Sequence, residues 1–293
     1  MAEDRNWQGT TDGTTWMHRN LIRLMRFLPL RLFYAFVALF VVPFYFLFSK
    51  GYRPMYHYFN KRLGYSPVKS FAFVYRNYRR FSQVILDRFY MIGGGRFDFE
   101  VENYHLYQEL ANEEPGFMIL SAHVGNYELA GYTLVADKKR FNVLVFGGET
   151  DVVTEHRNQM FAGTNIRMIP VKNDMSHLFE LSNALDDGES VSFPSDRVLS
   201  GQRTIECPFM GAPAQFPLGP FALAVQRDIA VLCVNVMKVS AKKYKVYVSK
   251  LQKEGDTKKE QMASLARQFV NHLEDVLRQY PEQWFNYYEF WND

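Results

Sequence analysis

Cysteine is nearly missing from this chain. Only Cys207 and Cys233 occur in 293 residues, which excludes a disulfide framework and gives no metal-ligand spacing. Both read as small apolar packing residues of a protein kept in a reducing compartment. Excess charge is missing as well: a net +3 leaves no broad cationic footprint, so no nucleic acid is expected as a partner. There is no GxGxxG pattern, and the triplet Gly93, Gly94 and Gly95 follows no strand-like run, which marks a turn and not a phosphate cradle. Internal repeats and a secretory signal pattern are also lacking. What the chain has in plenty is aromatic surface, with 26 Phe and 18 Tyr bringing the aromatic share to 16%. Rings that are apolar in body and polar at the tip are favoured where protein meets a lipid–water boundary. A hydrophobic content of 47% sustains one full core, hence one catalytic domain with an N-terminal appendage.

Residues 1–15 are polar and expected to be disordered. Residues 16–69 read as an amphipathic and hydrophobic segment that anchors the protein at a membrane. Arg19, Arg23 and Arg26 fall on one helical face, while Leu21, Leu24, Met25 and Leu28 occupy the other, the pattern of a basic helix lying on a bilayer. Leu30 to Phe48 follows as an apolar run near spanning length, interrupted by Arg31 and Pro43. Basic residues flank it on both sides, Arg19 to Arg31 before and Lys50, Arg53, Lys61 and Arg62 after. Charge asymmetry therefore assigns no orientation, and the segment is expected to dip into one leaflet or to span weakly.

Downstream, residues 70–293 are expected to form the catalytic domain, with an α/β fold built on a mixed sheet flanked by helices. A helix is expected over Ser70 to Ile92 and another over Tyr104 to Asn112. Short strands are expected at Phe97–Val101, Phe117–Leu120, Asn142–Phe146, Arg167–Pro170, Ser190–Phe193, Ile229–Met237 and Lys243–Ser249, with helices near Thr154–Ala162, Met175–Asp186 and Leu218–Gln226. Thr257 with Glu260 three residues on forms a capping box. Met262, Leu265, Phe269, Leu273, Val276 and Leu277 then recur at helical spacing until Pro281 stops the run.

The stretch from Ser121 to Gly131 carries the chemistry. It places His123 on the loop after a strand and Glu128 in the first turn of a short helix over Tyr127 to Val135, with Asn126 at the N-cap position. Open α/β sheets keep their ligands at that edge. An imidazole there can act as a general base, held in one tautomer by a carboxylate. Gly125 permits close backbone approach, and the first amides of the helix are candidates to receive an oxyanion. Taken alone, a His and a Glu five apart point no further than a structural histidine.

Three motifs together say more. His123-Val-Gly-Asn-Tyr-Glu128 is an HX4E motif, Phe193-Pro-Ser-Asp196-Arg197 precedes the loop around Gly211 and Gly219, and Pro281-Glu282-Gln283-Trp284 lies near the C-terminus. In this order the chain resembles the late (secondary) acyltransferases of lipid A biosynthesis, from about Trp16 onward. The resemblance implies transfer of a fatty acyl group from an acyl thioester, with acyl carrier protein as donor partner, to a hydroxyl of a membrane lipid acceptor, a lipid A precursor. It implies a place at the cytoplasmic face of the inner membrane and calls for no metal or other cofactor. His123 would be the base, oriented by Glu128. Gly125, Asn126, Arg157, Arg167, Lys172, Asp196 and Arg197 would bind substrate. Asp-Gln is usual where Asp196-Arg197 stands, so Arg197 is open between an anion contact and an internal pair with Asp196. The Tyr-rich end after Trp284 also departs from the family pattern, which keeps an O-acyltransferase of the ornithine- or glycine-lipid type in view. A catalytically silent membrane-bound partner is a third possibility, against which the intact His123 and Glu128 argue.

Overall fold

The computed structural model describes residues 15–134, 139–145, 164–171, 176–198 and 201–291. Its centre is a seven-stranded mixed sheet of β1 (Asp98–Glu102), β2 (Phe117–Ser121), β3 (Phe141–Val145), β4 (Ile166–Pro170), β5 (Ser190–Pro194), β8 (Ala230–Lys238) and β9 (Lys243–Leu251). The strand order is β1-β9-β8-β2-β5-β3-β4. Neighbours from β8 through β2, β5 and β3 to β4 run parallel, whereas β9 returns antiparallel from β8 and carries β1 alongside it. This is the mixed α/β sheet that the alternation of strand-like and helix-like runs predicts.

Helices cover both faces, which is why β2 is apolar from Phe117 to Leu120 and buried to its end at Ser121. Met118, Leu120 and Ala122 join one core cluster with the C-terminal helix Lys258–Gln279, and Phe117 and Ile119 join the other with Tyr107, Leu110 and the N-terminal helices. The C-terminal helix begins at the expected capping box, with Thr257 Oγ1 accepting from the Glu260 amide at 3.2 Å and Glu260 accepting in return from the Thr257 amide at 2.9 Å. The long helix Pro67–Ile92 starts on Ser66 as N-cap and ends at Gly93.

A two-stranded hairpin, β6 (Thr204–Phe209) with β7 (Ala212–Pro217), was not expected. Pro208, Pro213 and Pro217 argue against strands by the usual reading of sequence. An isolated antiparallel pair tolerates them because each strand has an outer edge needing no donor. Phe209, Ala214 and Phe216 are buried against the C-terminal helix side of the core.

Among the described residues one helical stretch, Leu30–Phe48, is long and apolar enough to cross a membrane by length and composition, with a mean hydropathy of 2.0. Its winding loosens at Val37–Val41, where the Val42 amide reaches back five residues to Val37. Pro43 directly follows; its missing N–H and its ring oppose regular winding over the preceding turn. Phe36, Leu39, Phe40, Phe44, Leu47 and Phe48 are exposed, each at 58% or more. The opposite side is anchored: Leu30, Phe33, Tyr34 and Val42 are buried, and the Tyr75 hydroxyl donates to Ala38 O at 2.6 Å. Met55, Tyr58 and Phe59 belong to the same core cluster as Met118 and Leu120 of β2. Residues 16–69 thus share the core of the 70–293 region that follows them.

Candidate active site

Strand register builds the site. Ser121 at the end of β2 pairs with Pro194 at the end of β5, and the ladder continues one step as the Ser195 amide donates to Ser121 O at 2.8 Å. His123 and Asp196 each lie two residues beyond that paired position, so parallel strands deliver them side by side. Asp196 Oδ1 accepts from His123 Nδ1 at 2.7 Å, and Oδ2 accepts from the His123 main-chain amide at 3.0 Å. One carboxylate therefore fixes both ring and backbone of the histidine. Nδ1–H donation leaves the Nε2 lone pair as the basic position.

The carboxylate hydrogen-bonded to His123 is accordingly Asp196 and not the expected Glu128. Gly125 turns the loop at φ +54°, and Glu128 sits in a three-residue 3-10 turn, Tyr127–Leu129. From there its carboxylate meets Arg88 of the long helix at 3.0 Å. Its charge still reaches His123 and favours the imidazolium, more weakly than Asp196 does.

Asp196 is fully buried and the His123 side chain 18% exposed. Burial holds the imidazole below its ordinary value of 6.5, against the opposing pull of Asp196. For Asp196 burial alone would raise the carboxyl. The adjacent imidazole and its hydrogen bonds outweigh this and leave it below the ordinary carboxylate value. A neutral imidazole bonded to an ionised carboxylate is the resting state a general base requires.

Gly125 and Asn126 shape this loop, and their amides are not open to an oxyanion. Gly125 donates to Gln283 O and Asn126 to Val236 O, both at 2.8 Å. A Cβ on Gly125 would lie 2.0 Å from Val236 O, so the glycine serves close approach of backbone to β8. Asn126 holds the N-cap position without a side-chain cap bond; its Nδ2 instead donates to the Tyr244 hydroxyl at 3.3 Å. The helix expected to follow is that 3-10 turn and one α turn, Ala130–Thr133.

Arg197 contributes otherwise than expected: Nη2 donates to Phe285 O at 2.8 Å, tying the C-terminal segment to the dyad loop. Its charge is felt at His123, where it disfavours the imidazolium. Arg167 does not belong to the site. It lies level with Met118 on β4, three strands from β2, which puts it roughly 14 Å across the sheet and roughly 16 Å short of the level of His123. It pairs there with Glu180 at 2.8 Å. Arg157 and Lys172, like residues 1–14 and the helix expected near Thr154–Ala162, lie outside the described residues.

The Pro281–Trp284 motif is the part of the site that sequence reading left without a role. Val124 bridges to Trp284, and the Phe285 amide donates to His123 O at 3.1 Å, so this segment runs beside the His123 loop like an added strand. Gln283 clamps the end of β8, with Oε1 accepting from the Lys238 amide at 2.9 Å and Nε2 donating to Lys238 O at 2.8 Å. Asn77 of the long helix donates to the carbonyls of Glu282 and Trp284 at 3.2 and 2.7 Å. The missed signal was a hydrogen-bonding side chain, Gln283, next to an aromatic, Trp284, at the end of an amphipathic helix. The Tyr-rich end is also packed: Tyr287 stacks on Tyr78, Trp291 stacks on Phe209, and Arg62 lies 4.6 Å over the Trp291 ring.

Comparison with known families places residues 78–292 on the model of the bacterial lipid A biosynthesis acyltransferases. The solved structures similar to the chain include the 1-acyl-sn-glycerophosphate (LPA) acyltransferase PlsC from Thermotoga maritima. It shares 14% identity over 90% of this chain and 98% of the other, with a TM-score of 0.39. No curated protein sequence matches.

Proposed function

Since the chain belongs to the bacterial lipid A biosynthesis acyltransferase family, we propose that it transfers a fatty acyl group from acyl-acyl carrier protein to a hydroxyl of a lipid A precursor, at the cytoplasmic face of the inner membrane. The observation that carries the chemistry is the doubly bonded His123–Asp196 pair at the end of the parallel strands. In this reading Nε2 of His123 takes the proton of the acceptor hydroxyl as its oxygen attacks the thioester carbonyl. The tetrahedral intermediate collapses by breaking the C–S bond, and the imidazolium returns the proton to the leaving thiolate. Asp196 stabilises the imidazolium in between. Water in place of the acceptor gives thioester hydrolysis by the same route.

Membrane placement is supported by the exposed aromatic and aliphatic side of Leu30–Phe48, continued by Trp16, Phe27, Leu32 and Phe71. Packing of the Tyr-rich end against Phe209 and Tyr78 gives its departure from the family pattern a structural purpose, and nothing in it favours an amino-acid lipid. Mass spectrometry of lipids from a deletion strain tests the proposal. The expected change is lipid A short of one acyl chain, complemented by the wild type and not by His123→Ala. Intact lipid A with loss of an acylated ornithine or glycine lipid would move the acceptor to that class.

A further inference from the structure

Behind the site, four elements converge on one buried carboxylate. Asp87 of the long helix is fully buried, and so is Lys238 at the end of β8, whose Nζ donates to Asp87 Oδ2 at 2.5 Å. The Tyr244 hydroxyl, from β9, donates to the same oxygen, and the Tyr34 hydroxyl, from the apolar helix Leu30–Phe48, donates to Oδ1. The Lys238 ammonium also lies within 5.3 Å of the ring centres of Tyr34, Phe97 and Tyr244. A buried pair of this kind adds little stability over apolar residues of the same volume, and its best-attested use is to fix geometry.

Two routes run from Asp87 to the catalytic loop. Through Tyr244 the first reaches the side chain of Asn126. The second passes along the backbone of Lys238 to the clamp of Gln283, whose own carbonyl takes the amide of Gly125. Gly125 and Asn126 turn the chain one residue after His123, beyond Val124. Both routes are hydrogen bonds joined through the Lys238 and Gln283 residues themselves, so Tyr34 and the turn at Gly125 and Asn126 belong to one buried polar network.

We propose that Tyr34, Asp87, Lys238 and Tyr244 are positioning residues through which the seating of the apolar N-terminal helix sets the geometry of the His123 loop, making catalysis depend on how that helix is embedded. The proposal rests on His123 acting as the base. Its chemistry needs no further partner: the helix is the sensor and the hydrogen-bonded cluster the coupling.

Full-length protein in phospholipid nanodiscs provides the test, with Tyr34→Phe and Tyr244→Phe compared against Tyr75→Phe. Tyr75 ties the same two helices together at Ala38 without touching the cluster. Two readouts are taken: steady-state hydrolysis of palmitoyl-acyl carrier protein, and the pH midpoint of His123 modification by diethyl pyrocarbonate, followed by peptide mass spectrometry. Expected are a kcat lowered tenfold or more at nearly constant KM and a displaced midpoint in both cluster variants, with neither change in Tyr75→Phe. Wild-type kcat and midpoint in the cluster variants would overturn the proposal, as would the same changes in Tyr75→Phe, which would reduce the effect to general loosening of the helix. A displaced midpoint in proteins that all fail to turn over thioester would support the coupling and reject the acyl-transfer reading. If Tyr34→Phe does not fold, Asp87→Leu combined with Lys238→Met replaces the buried pair by apolar volume and is held to the same two readouts.

Discussion

His123 can serve as base only while its imidazole is neutral, and burial keeps it neutral to lower pH than a free histidine. The acid limb of kcat/KM is therefore expected below pH 6.5, and a limb above that value would show that another group titrates. Asp196 pulls the other way, since its charge favours the protonated ring. Asp196→Asn should move the limb further down while lowering kcat roughly 10²–10⁴-fold, because the neutral amide no longer stabilises the imidazolium. His123→Ala should abolish transfer. Glu128→Gln is expected to cost less than tenfold, since it breaks a pair with Arg88 and leaves both bonds to Asp196 in place. Arg197→Ala should damage hydrolysis and transfer alike, because the lost contact is to Phe285 O; an effect on acceptor KM alone would make it an acceptor contact instead. Both members of the dyad were legible in the sequence as residues ending parallel strands. Their pairing was not, because HX4E spacing suggests a partner along the chain whereas register supplies one across the sheet.

Among the elements, those with a strong local code matched their expected places. The capping box at Thr257, the stop at Pro281 and the apolar runs of β2 and the first half of β8 all rest on short-range chemistry. The β6–β7 hairpin was hidden by its prolines, and the segment beside the catalytic loop was hidden because its partners are far away in sequence. Replacing Gln283 by Ala would leave the buried Lys238 amide without an acceptor, which costs about 1–3 kcal/mol. Gln283→Ala should accordingly lower both Tm and kcat, since Gly125 hangs on the same residue. Thr257→Ala removes a cap worth about 1 kcal/mol and should lower Tm with kcat unchanged. Activity lost in step with stability in both variants would deny the Pro281–Trp284 segment any role beyond folding.

At the scale of the whole molecule, the N-terminal helices are part of the core as well as an outer surface. Met25, Leu30, Phe33 and Val42 are each at least 92% buried, and at about 1.5–3 kcal/mol per buried side chain their loss rivals the roughly 5–15 kcal/mol net stability of a typical protein. Removal of residues 1–50 is expected to yield an unstable or aggregated protein, and a soluble fragment with wild-type Tm would show the opposite. The equal spacing of His123 and Asp196 beyond a shared rung also sets which genetic changes the protein can survive. Conservative exchanges within β2 or β5 leave the count of residues past Ser121 and Pro194 untouched. One codon inserted or deleted at Ala122 or Ser195 would carry one member of the pair out of step, so the reading distance between strand and loop should prove less forgiving of length change than of substitution.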